Sequence, residues 1–416
     1  MIGRRLALLP LLASLGAPST ARAAMSFDEA VRAMLARDTE VGAVSAEAES
    51  ASALALGKRY HFLPSVSLDG TRAWSKTYPM TTSLLGNASL PIFRFGADAA
   101  ASDSASEHAR AAEARVQKAR LERETKAVAA LLELIRATEA RGIYGQLETM
   151  GKESVAIAER QYAGGRIANQ EVQKVKIDLE NTRFEKAEAD QALVVARSAV
   201  ESLLGSADVV AEFPWKARIE ATRAPAPDPA EMLRLRPEWI EAEAESRSLR
   251  AASRSAFRGM LPELDAKFGA GWVKDPYVSP DFEQTWTGSL TLTIPLFNAF
   301  RDYGAYGAAA ETANAAESRL EGVKRDVLAG VREVPSRYEI ARKTALDREA
   351  ILKSSERLYQ DNLSRFRQGR ASSDELNVDL NRYLKTQLGA ISGWVAAHQA
   401  WVDLAHLRGA CATACK

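Results

Sequence analysis

The sequence predicts a mixed fold in which long α-helical coiled-coil hairpins are joined to four membrane-crossing β-strands. Three observations predict it: an amphipathic strand, two helical segments of unusual length, and an internal duplication. The strand is the stretch Thr285 to Phe297, where Trp286, Leu290 and Leu292 alternate with threonine and serine. Successive side chains of a strand point to opposite faces. A run of roughly ten residues can cross a bilayer as a tilted strand, although soluble β-sandwiches carry the same pattern.

The first residues have the pattern of a cleaved secretory signal. Arg4 and Arg5 precede an apolar run from Leu6 to Leu15, and Ala21-Arg22-Ala23 follows. A basic region, a short apolar core and a small-x-small cleavage site are typical of such signals. We therefore expect residues 1–23 to be removed. The rest of the chain has no long uncharged apolar stretch, so it is expected to enter a membrane only as a closed barrel.

The longest predicted helix runs from about Ala97 to Gln161, a stretch without proline that is rich in Ala, Glu, Arg and Leu. Its roughly 65 residues would span nearly 100 Å, a length that implies coiled-coil packing. The segment Tyr162 to Asn169 breaks it, and a returning helix of about 35 residues ends at Gly205, which fits a helix C-cap.

Two further helices are predicted from local signals. Ser26 to about Tyr60 is expected to form one helix, with Ser26 as N-cap and Glu29 completing a capping box. In the second half, Pro335 lies inside the long helix. Because an interior proline removes a hydrogen bond and clashes with the preceding turn, we expect a kink there rather than an end.

The sequence indicates an internal duplication, in which the second half repeats the pattern of the first. An offset of 204 residues places Leu90-Pro91-Ile92-Phe93 on Ile294-Pro295-Leu296-Phe297, and upstream of the second strands the offset is 198, with the extra residues at the hairpin tip Asp275 to Pro280. The boundaries are residues 24–205 for the first repeat, 206–229 for a linker or equatorial segment, 230–409 for the second repeat and 410–416 for a tail. Each repeat contributes one hairpin. Membrane barrels have at least about eight strands, so several copies must share one barrel.

The duplication, the Leu-Pro before each first strand, the Pro-Ile/Leu-Phe ending each second strand and the Tyr/Phe-x-x-Gly break resemble the TolC-like outer membrane factor family. The resemblance covers nearly all of the chain after the signal. It implies a homotrimer whose β-barrel lies in the outer membrane of a Gram-negative bacterium, in contact with its lipid. It also implies an α-helical tunnel through the periplasm that docks on a periplasmic adaptor (membrane fusion protein) and an inner-membrane pump.

The resemblance also assigns candidate sites. The helix tips are expected to contact the adaptor through Tyr162, Gly165, Arg166, Phe366, Gly369 and Arg370. Glu171 and Glu375 match the carboxylates that ring the periplasmic gate, although acids at a helix start are also favoured by the helix dipole alone. The basic gate residue of the family falls on Ala371. Lipid-facing and aromatic-girdle positions are Trp74, Trp272, Trp286, Leu290 and Leu292, together with Val66, Leu68 and Ile294.

No pattern predicts catalysis or a cofactor. The four histidines are scattered, no glycine-rich phosphate loop follows a strand, and the formal net charge of +1 does not favour nucleic acid as a partner. The only cysteines, Cys411 and Cys415, exclude a disulfide framework and could form a local bridge, or with His406 a tail metal site, or neither. The sequence thus predicts a passive exit duct for small toxic compounds. A duct for secreted polypeptides and a soluble periplasmic coiled-coil protein are the alternatives.

Overall fold

The structure is a computed structural model and describes residues 25–74, 80–206, 212–224, 228–275, 279, 281–368 and 370–413. The predicted signal at 1–23 lies outside the described residues. Most of the turn in each of the two β-hairpins, part of the linker, Gly369 and Cys415 also lie outside the described residues. Within the described ranges, none of the helices combines the length and the apolarity needed to span a bilayer.

The four predicted strands form one antiparallel sheet. The strands are β1 (Ser65–Ala73), β2 (Thr81–Phe93), β3 (Glu263–Lys274) and β4 (Glu283–Thr293), and their spatial order is the chain order, so β1 and β4 are the two edges. The strand predicted at Thr285 to Phe297 corresponds to β4, which ends at Thr293, four residues earlier than expected. Ile294, expected to face lipid, lies just beyond β4, ahead of Pro295, which lacks the N–H that a ladder needs.

The N-terminal helix is interrupted, which corrects the expectation of one helix. The structure has α1 (Phe27–Arg37) and α2 (Thr39–Arg59), with the predicted capping box of Ser26 and Glu29 at the start. Asp38 takes an extended conformation, and its carboxylate accepts hydrogen bonds from the backbone N–H groups of Glu40 and Val41. An aspartate that caps the next turn competes with continuation of the helix, which explains the break.

The first long hairpin matches the prediction closely. It consists of α3 (Ala97–Ala163) and α4 (Asn169–Leu204), and Gly205 ends α4 with a φ of 79°, the left-handed conformation that a glycine C-cap adopts readily. The linker contains a short helix that the sequence reading missed, α5 (Lys216–Ala221). Its Ile219 is completely buried against the core of the helical body.

The second half repeats this plan. It has α6 (Pro229–Leu235), α7 (Pro237–Arg258), then β3 and β4, followed by α8 (Arg301–Arg367) and α9 (Ser373–His406). The break between α6 and α7 falls at Arg236, 198 positions after Asp38. Here Pro237 explains it, because the residue before a proline avoids the helical conformation. As predicted, α8 continues through Pro335.

The helices lie side by side in two groups, one next to the sheet and one farther from it. Next to the sheet, α2 packs on α3, α3 on α7 and α7 on α8, and farther away α4 packs along α3, α3 against α9 and α9 along α8. The main core lies midway along the long helices and combines residues of α1, α3, α4, α5, α8 and α9; its members include Val31, Leu131, Leu132, Ile135, Val200, Ile219, Tyr338 and Trp394.

The junctions between sheet and long helices have the same backbone in both halves. Phe95 and Gly96 have φ values of 49° and 77°, and the residues 204 positions later, Ala299 and Phe300, have φ values of 47° and 62°. Two successive left-handed residues therefore turn each strand into its helix. Glycine adopts this conformation freely, whereas Phe300 does so at a cost of roughly 1–2 kcal/mol.

Candidate channel surfaces and periplasmic tips

Strand register gives the sheet one apolar and one polar face. Directly opposed residues share a face, and the pairing of Leu68 with Gly86, of Gly86 with Ala270 and of Ala270 with Trp286 places the predicted lipid-facing positions together. Large exposed hydrophobic side chains on this face include Val66, Leu68, Leu84, Phe268, Trp272, Trp286, Leu290 and Leu292. Trp74, the remaining girdle candidate, is exposed one residue beyond β1.

The opposite face is lined mainly by serine, threonine, asparagine and charged residues. Asp69 accepts hydrogen bonds from Ser67 and from Asn87 on the neighbouring strand. Gly269 makes room for this network, since a Cβ there would lie 2.7 Å from Asn87 Oδ1 and 3.0 Å from Thr287 Oγ1. A polar face opposite an apolar one is the pattern of a strand between lipid and a hydrated interior.

Each of the two helix tips contains the same type of backbone hydrogen bond. The N–H of Arg166 donates to the carbonyl of Gln161 at 2.9 Å, and the N–H of Arg370 donates to the carbonyl of Arg365 at the same distance and the same offset. Gly165 has a φ of 68°, as expected for a left-handed turn residue, while Gly369 lies outside the described residues. Tyr162, Gly165, Arg166 and Arg370 are exposed at the end of the molecule.

Phe366 differs from Tyr162, its counterpart in the first half. Its side chain is buried with Tyr359 and Leu376, and residues of α3 pack against the same cluster. The aromatic rings of Tyr359 and Tyr383 stack on each other at 5.6 Å within this cluster. Burial raises the pKa of Tyr359, which keeps its hydroxyl neutral. The structure thus places Phe366 inside the tip rather than on its surface.

Glu171 and Glu375 have different partners. Glu171 accepts from the Lys174 ammonium at 3.1 Å, and the same ammonium lies 3.7 Å from Asp374 of the other hairpin. The hydrogen bond to Glu171, followed by the charge of Asp374, raises the pKa of Lys174. Glu375 instead forms a capping box with Ser372, the N-cap of α9. The matching N-cap of α4 is Ala168, which has no side-chain oxygen and so cannot form the reciprocal pair.

An ion pair between the halves near the tips was missed by the sequence reading. Arg367 lies 3.3 Å from Glu153 of α3, so it ties α8 to the first hairpin one turn before Ala371, the position that the resemblance assigned to a basic gate residue. Nearby, Asn377 donates to Asp178 of α4 at 2.7 Å. Burial and the charge of Asp374 raise the pKa of Asp178. No spacing rule connects residues more than 190 positions apart, so only the fold reveals these contacts.

The C-terminal segment is held by a buried carboxylate that the sequence did not single out. Glu124 of α3 is completely buried and accepts from His406 Nε2 at 2.6 Å, from the Ala412 N–H at 3.1 Å and from the Thr413 N–H at 2.7 Å. Burial alone would raise the pKa of Glu124, but the hydrogen bonds from His406 and Thr413 outweigh it and hold that pKa below its ordinary value.

A second buried histidine, His398, lies in the core of the helical body. His398 is completely buried between Trp394 and the aromatic residues of the linker, and burial lowers its pKa to about 4. The part of the chain that the structure describes has no group of three or more His, Cys, Asp or Glu side chains arranged to bind a metal ion. Of the weak candidate formed by His406 and the two cysteines, Cys415 lies outside the described residues, and the His406 Nε2 atom is hydrogen-bonded to Glu124.

A family model described as outer membrane efflux protein matches residues 30–206 and 229–410. The chain belongs to this family. The two matched segments correspond closely to the two halves described above. Among curated proteins, none matches this chain in sequence. Members of the family are channels rather than enzymes, so the chain is an efflux channel of the outer membrane that extends into the periplasm, and the resemblance to TolC-like proteins is confirmed.

Solved channel structures share the fold. The CusC structure aligns with a TM-score of 0.81 at 18% identity, covering 98% of both chains. The CmeC outer membrane channel of Campylobacter jejuni gives a TM-score of 0.81 at 16% identity, covering 94% of this chain and 87% of its own. VceC of Vibrio cholerae gives 0.77 at 17% identity, covering 92% and 96%. The similarity confirms the fold class predicted from the sequence, a helical tunnel joined to membrane strands.

Proposed function

We propose that three copies of this chain form the exit duct of a tripartite export system, a passive conduit for small toxic compounds across the outer membrane. The observation that carries the proposal is the four-stranded sheet, which is apolar on one face, polar on the other and continuous with helices of 67 residues. Four strands cannot close around a lumen in lipid. Three copies joined edge to edge, β1 to β4, supply a barrel of about twelve strands, within the known range.

The tips are the surface proposed to dock on a periplasmic adaptor, which links the duct to an inner-membrane pump. Tyr162, Gly165, Arg166 and Arg370 are exposed at the end farthest from the sheet. Gly369 belongs to the same proposal by its position in the sequence. Phe366 is proposed to stabilise this surface without contacting the adaptor, because its ring is buried inside the tip.

Glu171 and Glu375 are proposed to line the periplasmic entrance. Three copies would bring six such carboxylates towards one axis, and a ring of carboxylates favours cations over anions. Single-channel recording in planar bilayers tests this: Glu171→Gln with Glu375→Gln should lower cation preference and weaken block by multivalent cations. Unchanged selectivity and block would show that both glutamates are ordinary helix-start acids.

Transport itself is tested by deleting the gene and restoring it on a plasmid. We expect the deletion strain to accumulate small toxic dyes and drugs, and the restored strain to expel them. The second candidate, a duct for secreted polypeptides, shares the same scaffold and predicts instead that a protein disappears from the culture medium while dye accumulation is unchanged. A soluble periplasmic coiled-coil protein is not compatible with membership of an outer membrane family.

A further inference from the structure

Charged residues are divided unequally between the two faces of the sheet. Within the four strands as the structure describes them, the apolar face carries two charged side chains, and both are cations, Arg72 and Lys274. The acidic residues of these strands all lie on the polar face: Asp69, Glu263, Asp265 and Glu283. The only charges that the strands present on the apolar side are therefore positive.

The two cations belong to one row across the sheet. Arg72 is paired with Thr82, and Thr82 is paired with Lys274. Neighbouring strands are about 4.8 Å apart, so the Cα atoms of Arg72 and Lys274 are separated by about 10 Å. Both side chains are long and keep their charged ends in water while their stems follow an apolar surface. Their charges can therefore reach one ligand.

Neither cation has a carboxylate partner among the described residues. The Arg72 Nε atom donates to the Met80 sulfur at 2.9 Å, and the Lys274 ammonium lies 5.9 Å from the centre of the Phe282 ring. A thioether is a weak acceptor, and neither contact neutralises a positive charge. Arg94, at the other end of the sheet, has three carboxylate partners within 3.6 Å: Asp98, Glu263 and Asp265. The row of Arg72 and Lys274 thus has charge to offer to a ligand.

This row lies at the outer edge of the apolar band. Lys274 and Leu264 share the apolar face of β3 and are ten residues apart, or about 34 Å along the strand. At the tilt of about 40° found in membrane barrels, that length gives a height of about 26 Å, close to the apolar band of about 25 Å. The long helices leave the opposite end of the sheet and extend into the periplasm, so the row faces the outer leaflet.

An open groove with apolar walls adjoins the two cations. Its lining includes Gly70, Arg72, Thr82, Leu84, Trp272 and Phe282. Gly70 has no side chain, which leaves the apolar surface of Leu84 and Trp272 accessible beside Arg72. The site thus combines positive charge at the membrane surface with an apolar channel that leads towards the bilayer interior.

We propose that Arg72 and Lys274 bind the phosphate groups of a phosphorylated glycolipid of the outer leaflet, with one of its acyl chains in the groove. Lipopolysaccharide has this chemistry, because its lipid part is a disaccharide that carries phosphates and acyl chains. Arginine and lysine both bind phosphate, arginine through paired N–H donors. Two cations about 10 Å apart fit two phosphates of one headgroup better than the single phosphate of a phospholipid. The inference rests on the lipid-facing sheet of the proposed duct and is independent of its cargo.

Native mass spectrometry of the oligomer in detergent tests the site, with diphosphoryl lipid A as the probe. Arg72→Gln with Lys274→Gln should weaken binding about 30-fold, the effect of removing two basic contacts with an anionic lipid surface. The matched control is Lys267→Gln, which removes a cation from the polar face of the same strand and should leave binding unchanged. A chelator in the buffer prevents divalent cations from bridging phosphates to carboxylates.

A second measurement needs no variant. The wild type should bind dephosphorylated lipid A about 30-fold more weakly than the diphosphoryl form, and phosphatidylglycerol should also bind more weakly. Equal binding of these lipids by the wild type, or equal binding of the probe by the wild type and the double variant, would overturn the site. So would an equal loss in Lys267→Gln, because the attraction would then not depend on the apolar face.

The outcomes separate this inference from the proposed function. An intact oligomer that expels dyes but shows no preference for the diphosphoryl form would overturn the glycolipid site alone. Absence of any oligomer in the wild type would overturn the proposed duct and the site with it. The double variant should form the oligomer in normal yield, since neither cation has a carboxylate partner among the described residues.

Discussion

At the tip of the first half Tyr162 is exposed, whereas at the tip of the second half Phe366 is buried against Tyr359 and Leu376. The backbone is nevertheless the same, with one hydrogen bond of equal length in each tip. The junctions near the sheet behave alike: both contain two left-handed residues, but the second is Gly96 in one half and Phe300 in the other. Local turns have therefore been kept while side-chain partners have diverged.

The divergence has a physical reason. Within one chain, the first helical hairpin packs on the second through α3 and α9. Equivalent positions of the two halves therefore have different neighbours. Glu124 of α3 illustrates this, because it holds the C-terminal segment, while the residue 204 positions later is Leu328. Variants at matched positions of the two halves can accordingly separate what the common backbone requires from what each neighbourhood requires.

The largest effect is expected where the halves agree, on the apolar face of the sheet. Leu292→Arg should destabilise assembly by about 2–4 kcal/mol per copy near mid-bilayer, and Ala88→Arg, at the matching position of β2, should do so too. The adjacent Thr291→Arg places the charge on the polar face and should be tolerated. Heat-resistant oligomer yield in outer-membrane extracts measures this. Equal yields for Leu292→Arg and Thr291→Arg would contradict a lipid-facing strand.

The tips should respond in opposite ways. Phe366→Ala removes a buried ring and should cost about 3 kcal/mol of local stability, seen as faster hydrogen exchange over 355–380. Tyr162→Ala removes an exposed ring, so exchange should be nearly unchanged while adaptor co-purification falls. Exchange that rises equally in both variants would show that the two tips are built alike.

The stability that Glu124 contributes should depend on pH, and this dependence should be specific to the first half. Its pKa is lowered in the folded protein, so its contribution to stability is complete above the ordinary carboxyl pKa of about 4.3 and is lost as pH falls through the lowered value. Glu124→Gln removes the charge and should cost about 2 kcal/mol at neutral pH, within the range for hydrogen bonds to charged groups.

The readout is proteolysis of the C-terminal segment as a function of pH. The wild type should become sensitive only in acid, whereas Glu124→Gln should be sensitive throughout. A wild type equally sensitive at pH 3 and pH 7 would contradict the role of the carboxylate. Leu328→Gln, at the matching position of α8, is the control and should leave the segment protected.

A smaller effect is expected at the junctions. Phe300→Gly should relieve about 1 kcal/mol of backbone strain, partly offset by loss of the ring contact with Phe297. Gly96→Ala should introduce similar strain, and its Cβ would also lie 3.0 Å from Arg258 Nη1. Thermal unfolding in detergent compares the two. A lower midpoint for Phe300→Gly than for the wild type would show that the ring contact outweighs the strain.

Periodic features were predictable from the sequence, and contacts between distant residues were not. The strands, the long helices, the capping box at Ser26 and the turn at Gly165 each follow from residues within a few positions of one another. The break at Asp38 was missed because a single N-cap residue, with no proline or glycine beside it, did not outweigh the helical pattern on either side. The pairing of Arg367 with Glu153 and the burial of Phe366 depend on how two hairpins approach each other.

The candidate gate shows the same limit at a single position. Glu171 and Glu375 are equivalent in the sequence, but Ala168 precedes one and Ser372 the other, so one glutamate contacts Lys174 and the second caps its own helix. A spacing rule identifies both as acids at a helix start. Their partners follow from the N-cap residue and from the neighbouring hairpin.

That three copies share one duct is tested most directly by electron cryomicroscopy of the protein extracted from outer membranes. We expect a three-fold ring in which the four strands of each copy supply a third of one barrel. The tips should lie together at the far end of the helical tunnel. A particle in which a single chain closes its own sheet would contradict this arrangement.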